Sequence, residues 1–131
     1  MAVEFPGQII SLPCATTGIP QYRFVTISTA GNVIKPVAGG PTIGVTQTGT
    51  TGSTEDPKSI SVMINGVSKV AGSTASTCGV GEVITATTAG SVKPMAAASV
   101  AAGQIIAGTS GAVNRVLSVL IAGVGNSTAT V

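Results

Sequence analysis

The chain contains no histidine and no tryptophan, and its aromatic residues are Phe5, Tyr22 and Phe24 alone. Without histidine there is no side chain that ordinarily titrates near neutrality, for acid–base work or for a Ser–His or Cys–His pair. Four carboxylates remain: Glu4, the adjacent Glu55 and Asp56, and the distant Glu82. Neighbours in an extended loop point apart, so Glu55 and Asp56 do not read as a facing glycosidase-type pair. Cys14 and Cys78 have no imidazole to generate a thiolate, and two cysteines do not supply a four-ligand zinc site. Whether they are two small apolar residues or a disulfide is open at this level. The expectation is a protein that is not an enzyme and uses no metal, cofactor or small-molecule substrate.

Charge is equally scarce. Charged residues make up 8 % of the chain, against about 25 % in a typical soluble domain. Arg23, Lys35, Lys58, Lys69, Lys93 and Arg115 are scattered, which excludes a nucleic-acid stripe. The triplet Tyr22-Arg23-Phe24 is a single aromatic–basic set, better read as strand packing with Phe24 in the core and Tyr22 beside it. Low charge also leaves strand edges without their usual protection against other chains, and permanent assembly is one remedy. The start, Met1 to Gly7, lacks the positive charge and apolar run of a signal peptide. The apolar stretch from Met95 to Ala107 is too short and too interrupted to span a bilayer. Synthesis in the cytoplasm and no membrane are expected. Gly79-Val80-Gly81 and the run from Gly123 to Ser127 read as turns, since neither precedes a helix or carries a phosphate-loop lysine.

What is present is β-forming. Of 131 residues, 44 % are hydrophobic, mainly Val, Ile and Ala, set among many Thr and Ser. β-Branched residues suit a pleated surface, and eighteen Gly and seven Pro supply turns at short intervals. A mean hydropathy of +0.57 argues against disorder. The composition predicts an all-β fold.

The chain also repeats itself. Thr29-Ala30-Gly31-Asn32-Val33-Ile34-Lys35-Pro36 returns as Thr88-Ala89-Gly90-Ser91-Val92-Lys93-Pro94, with one residue deleted between Val92 and Lys93. Ile60-Ser61-Val62-Met63-Ile64-Asn65-Gly66-Val67 returns as Leu117-Ser118-Val119-Leu120-Ile121-Ala122-Gly123-Val124. The two motifs keep their order, and their separation differs by two residues between copies. Upstream, Val25-Thr26-Ile27-Ser28 matches Ile84-Thr85-Ala86-Thr87, while Thr42 to Thr46 is matched loosely by Gln104 to Gly108. In each copy a strand ends at an Ala-Gly turn, and a second strand runs to a proline that ends pairing or marks an edge. The closing strands alternate: Ile60, Val62 and Ile64 share one side, as do Leu117, Val119 and Ile121. Apolar residues on their other side place these strands centrally or against a partner. Neither copy is large enough to be stable by itself. A small β-barrel or β-sandwich of two pseudo-repeated halves is expected, with at most one short helix, at Ala96 to Ala102.

The expected organisation is an extended N-terminal arm over 1–20, a β domain over 21–125, and a C-terminal tail over 126–131. The repeats within the domain are placed at about 21–70 and 80–125. The first segment reads equally well as an arm on a neighbour or as a first strand. Residues 46–58 read as a solvent-facing loop.

Gly81-Glu82-Val83-Ile84, the turn from Ala89 to Pro94, Gly103-Gln104-Ile105-Ile106-Ala107 and Arg115 to Ile121 resemble the capsid decoration, or cement, proteins of tailed bacteriophages. The resemblance covers residues 20–124 and rests on pattern and composition. It implies a virion protein on the capsid exterior that stabilises the head by bridging major capsid subunits, often as a homotrimer. It also implies an N-terminal arm over the adjacent subunit, so that deleting residues 1–20 weakens capsid binding without unfolding the domain. Capsid or subunit contacts are therefore expected at Val3, Phe5, Ile9, Ile10, Leu12, Glu55 and Asp56. Other readings are a tail-tube or fibre-base module, or a non-catalytic surface-binding module.

Overall fold

The computed structural model describes residues 5–14, 18–49, 59–74, 77–111 and 115–121, with the backbone alone at residues 5 and 6. The fold is all-β. Its strands are β1 (Phe5–Pro6), β2 (Ile9–Pro13), β3 (Phe24–Ile27), β4 (Val33–Ile34), β5 (Gly44–Thr46) and β6 (Ser59–Met63). They continue with β7 (Gly66–Ala71), β8 (Val83–Ala86), β9 (Val92–Pro94), β10 (Gly103–Ala107) and β11 (Val116–Ile121).

The strands form two antiparallel sheets that repeat one design. One runs β2-β6-β5-β3-β4; the other runs β7-β11-β10-β8-β9, with β1 added outside β7. Each half is thus five strands in the same order. The match extends to register. Val25 faces Gly44 and Phe24 faces Val45 in the first half, as Ile84 faces Gly103 and Val83 faces Gln104 in the second. It also extends to the turns. Ser28 N–H donates to the Asn32 carbonyl and Gly31 N–H to the Ser28 carbonyl; Thr87 and Gly90 make the same bonds to Ser91 and Thr87. Gly31 and Gly90 take the positive φ these turns demand, 86° and 82°.

The register refines the repeat in three places. Ile27 pairs with Val33 and Thr26 with Ile34, while Ala86 pairs with Val92 and Thr85 with Lys93. Ile34 and Lys93 are therefore equivalent, and the Lys-Pro steps are offset by one residue. Gly44-Val45-Thr46 corresponds to Gly103-Gln104-Ile105 rather than to a segment starting at Gln104. From β3 to β5 the copies keep step with β8 to β10. The second copy is one residue longer between its first two sequence-consecutive strands, β7 and β8 against β2 and β3, and two residues shorter between β10 and β11 against β5 and β6. Finally, each copy begins one strand earlier than the sequence motifs do: β2 opens the first and β7 opens the second.

The segment Ile9–Pro13, read from the sequence as arm or first strand, pairs with β6 over its full length, from Ile9 opposite Met63 to Pro13 opposite Ser59. A truncation of residues 1–20 therefore removes a strand along with any arm. No helix occurs among the described residues. The alanine-rich run expected to carry one makes a turn instead, in which Ser99 N–H donates to the Ala96 carbonyl and Ala98 sits at φ 64°. Residues 37–40 make the matching turn, with Gly39 at φ 72°. A helix of one or two turns has too few bonds to offset its nucleation cost.

Each sheet curls around its own core. Gly72 and Val92 form a parallel bridge that draws β7 towards β9, and Cys14 Sγ lies 3.8 Å from the Val33 carbonyl at the corresponding place in the first half. The first core holds Cys14, Ile19, Val25, Val33, Ile60 and Val62. The second holds Val70, Ile84, Val92, Ile105, Leu117 and Val119 among others, and Phe24, Val45 and Met63 of the first half join it. These three project from the opposite face of the first sheet to Val25 and Val62, so the first half lies back-first against the second. Hydrogen bonds lock the joint: Phe24 N–H to the Gly90 carbonyl, Gly39 N–H to the Ala86 carbonyl and Ala71 N–H to the Tyr22 carbonyl. Gln47 Nε2 adds a bond to Ser68 Oγ at 2.9 Å.

Candidate interaction surfaces

Three surfaces are distinctive. The first is the outer edge of β2, which ends its sheet order. Of the contact residues expected from sequence, Ile9 is 46 % exposed there, and Ile10 and Leu12 are half-buried on the opposite face of the strand. Phe5 lies on β1, paired with Val67 in the other sheet. Val3, Glu55 and Asp56 lie outside the described residues. The structure thus brings Ile10 and Leu12 together and places Ile9 and Phe5 elsewhere.

The second surface explains that division. Ile10 and Leu12 join Ile27, Ile43 and Ile64 around a trough of about 340 Å³ that opens into the core of the first half. Sequence reasoning assigned Ile27, Ile43 and Ile64 to strands without a role at the surface. Ile27 and Ile64 continue the period-2 spacing of the core residues Val25 and Val62, and nothing local tells whether a core is covered.

The third surface is a polar groove of about 720 Å³ at the seam of the halves, lined among others by Tyr22, Arg23, Thr87, Ala89 and Arg115. Tyr22 does not lie on a strand. It precedes β3 in a left-handed conformation, φ 62°, which is strained for a bulky residue. Its backbone is held on both sides, its N–H donating to the Thr46 carbonyl at 2.8 Å and its carbonyl accepting from Ala71 at 2.9 Å. Thr46 Oγ1 donates to the Pro20 carbonyl and accepts from Arg23 N–H. Lys69 Nζ stands 5.9 Å from the Tyr22 ring centroid, within cation–π range. Arg23 reaches the Ala89 carbonyl through Nη1, while its Nε is buried without a partner. Among the described residues two guanidiniums and no carboxylate line the groove, so it favours anionic or hydrogen-bond-accepting groups. The sequence flagged Tyr22-Arg23-Phe24, but Arg115 reaches the groove only because the second half folds against the first.

The reactive side chains are placed apart. Cys14 and Cys78 are buried in separate cores, so they do not bond to each other. Burial pushes the Cys78 thiol above its ordinary range; a hydrogen bond with Ser110 opposes the rise, and the negative charge of Glu82 adds to it. A thiol held protonated is a poor nucleophile. Among the described residues no three His, Cys, Asp or Glu side chains gather as a metal site, and no helix is long and apolar enough to cross a membrane. Comparison with family models, with curated proteins and with solved structures finds no match to the chain.

Proposed function

We propose that this chain is a non-enzymatic structural protein of a phage virion, which binds the capsid exterior and stabilises the head by bridging major capsid subunits. The observation that carries the reading is the outer edge of β2, which pairs with no other strand among the described residues, with Ile9 exposed beside it. An edge strand offers a row of backbone donors and acceptors to an extended segment of another protein. The resemblance to decoration proteins supplies the identity of that partner. Repetition over a closed shell then makes a modest contact sufficient, because each bound copy favours the assembled state over its free subunits.

The test introduces charge at that edge without removing the strand. Ile9→Lys and Ser11→Lys change side chains that are exposed on β2. Co-sedimentation with heads assembled from major capsid protein is expected to show full occupancy for the wild type and at least tenfold weaker binding for the double variant. Equal occupancy of the two proteins would sink the reading, as would a wild type that leaves heads undecorated.

A further inference from the structure

The joint between the halves is a head-to-tail contact, and a head-to-tail contact leaves one unused surface of each kind. Within the chain, the back of the first half presents Phe24, Val45 and Met63, all fully buried. They cover the mouth of the second core, whose rim positions Ser68, Val70, Ala86, Ala102 and Ile121 are buried in turn. The register gives each of these residues a counterpart in the other half.

The counterparts are the two surfaces left over. Phe24, Val45 and Met63 correspond to Val83, Gln104 and Leu120 on the back of the second half, where Val83 is 46 % and Leu120 is 47 % exposed. The mouth residues correspond to Ile10, Leu12, Ile27, Ile43 and Ile64, the five that line the trough of the first half. One exposed apolar surface thus matches, position for position, the half of the joint that the other exposed surface lacks.

We propose that the occupant of the trough is the back of the second half of another copy of this chain, docked as the first half docks within the chain. The side chains suit this arrangement. Inside the chain, a bulky back (Phe24, Met63) meets a mouth trimmed to Ser68, Ala86 and Ala102. Between chains, a slimmer back (Val83, Leu120) meets a mouth filled out by Ile10, Ile27 and Ile43. Volume is shifted from one side to the other, as close packing requires. The residues named on the two surfaces are uncharged, Lys69 and Lys93 lying further along the same back face opposite Ser118 and Thr85. One N–H of the Gln104 amide keeps its bond to the Gly81 carbonyl at 2.9 Å when the surface is covered. The contact is heterologous and generates a ring where the rotation closes or a filament where it does not. It is independent of the capsid reading, since it uses the trough and not the β2 edge.

The test uses complementation. Ile27→Asp spoils the trough and leaves the back intact; Leu120→Asp does the reverse. Both side chains are at least 40 % exposed, so folding is expected to survive, and Ile27→Ser with Leu120→Ser serve in their place if it does not. By light scattering after size exclusion, the wild type is expected to form multimers and each single variant to run at 12.6 kDa. An equimolar mixture of the two is expected to give a species of about twice that mass and nothing larger, since each copy retains one working surface. A monomeric wild type overturns the proposal; if deleting residues 122–131 then produces assembly, the chain's own tail is the occupant. Multimers that persist in both variants, or a mixture that stays monomeric, also overturn it.

Discussion

Gly44 and Gly103 occupy one position of the duplicated fold, and replacing either by alanine measures how tightly that position is drawn in. A Cβ on Gly44 would collide with the Met63 carbonyl and Val62 Cγ1; on Gly103 it would lie 2.5 Å from both the Leu120 carbonyl and Val119 Cγ1. In each case the obstacle is the backbone of the paired closing strand, which cannot retreat without breaking ladder bonds. Overpacking of this kind costs about 1–3 kcal/mol, and collision with backbone belongs at the upper end. Alanine also reduces the entropy of the unfolded chain, which returns about 0.4–1 kcal/mol. A net loss of about 2 kcal/mol is expected for each variant. With a urea slope of about 2 kcal/mol per molar, the unfolding midpoint falls by about 1 M. Gly79→Ala is the control, because its nearest neighbour is Glu82 Oε1 at 3.8 Å and its φ is not positive; it should match or slightly exceed the wild type. Equilibrium urea denaturation followed by far-ultraviolet circular dichroism measures all three. If Gly44→Ala and Gly103→Ala unfold at the wild-type midpoint, the closing strands do not approach these glycines this closely. If only one is destabilised, the two halves are not equivalent at this position.

Phe24→Ala removes the largest side chain at the joint, and a loss of about 3–5 kcal/mol is expected. The whole molecule should still unfold in one transition in urea, because Phe24 belongs to the second core while its strand belongs to the first sheet. Two separate transitions in the wild type would show that the halves fold independently. Cys78 should resist alkylation in the folded protein and react once it is unfolded. Because burial raises its pKa in the folded state, the unfolded thiol ionises first as pH climbs through its ordinary value of 9.0. Its contribution to stability is therefore present below that pH and lost above it. Comparing wild type and Cys78→Ala in urea at pH 7.5 and pH 10 should show the larger fall with pH in the wild type; parallel falls would refute the assignment.

Fold class, duplication and the central place of the closing strands are all legible in the order of residues along the chain. These are local properties: β-branched alternation from Ile60 to Ile64 and from Leu117 to Ile121, and Gly31 and Gly90 marking the same turn. The two-residue difference in motif spacing reappears as the shorter connection before β11. Sequence matching misplaced the Lys-Pro step because identity of residue types outweighed register, which only the ladder bonds of Thr26 with Ile34 and Thr85 with Lys93 reveal. It offered Ala96 to Ala102 as helix because propensity favours alanine there, whereas the turn at Ala98 is imposed by the strands on either side. Above all, which of two equivalent surfaces is covered follows only from how the halves pack. Met63 and Leu120 occupy matching positions in matching strands, yet Met63 is buried and Leu120 is 47 % exposed. No local pattern distinguishes them, because burial here depends on the order in which two similar halves stack.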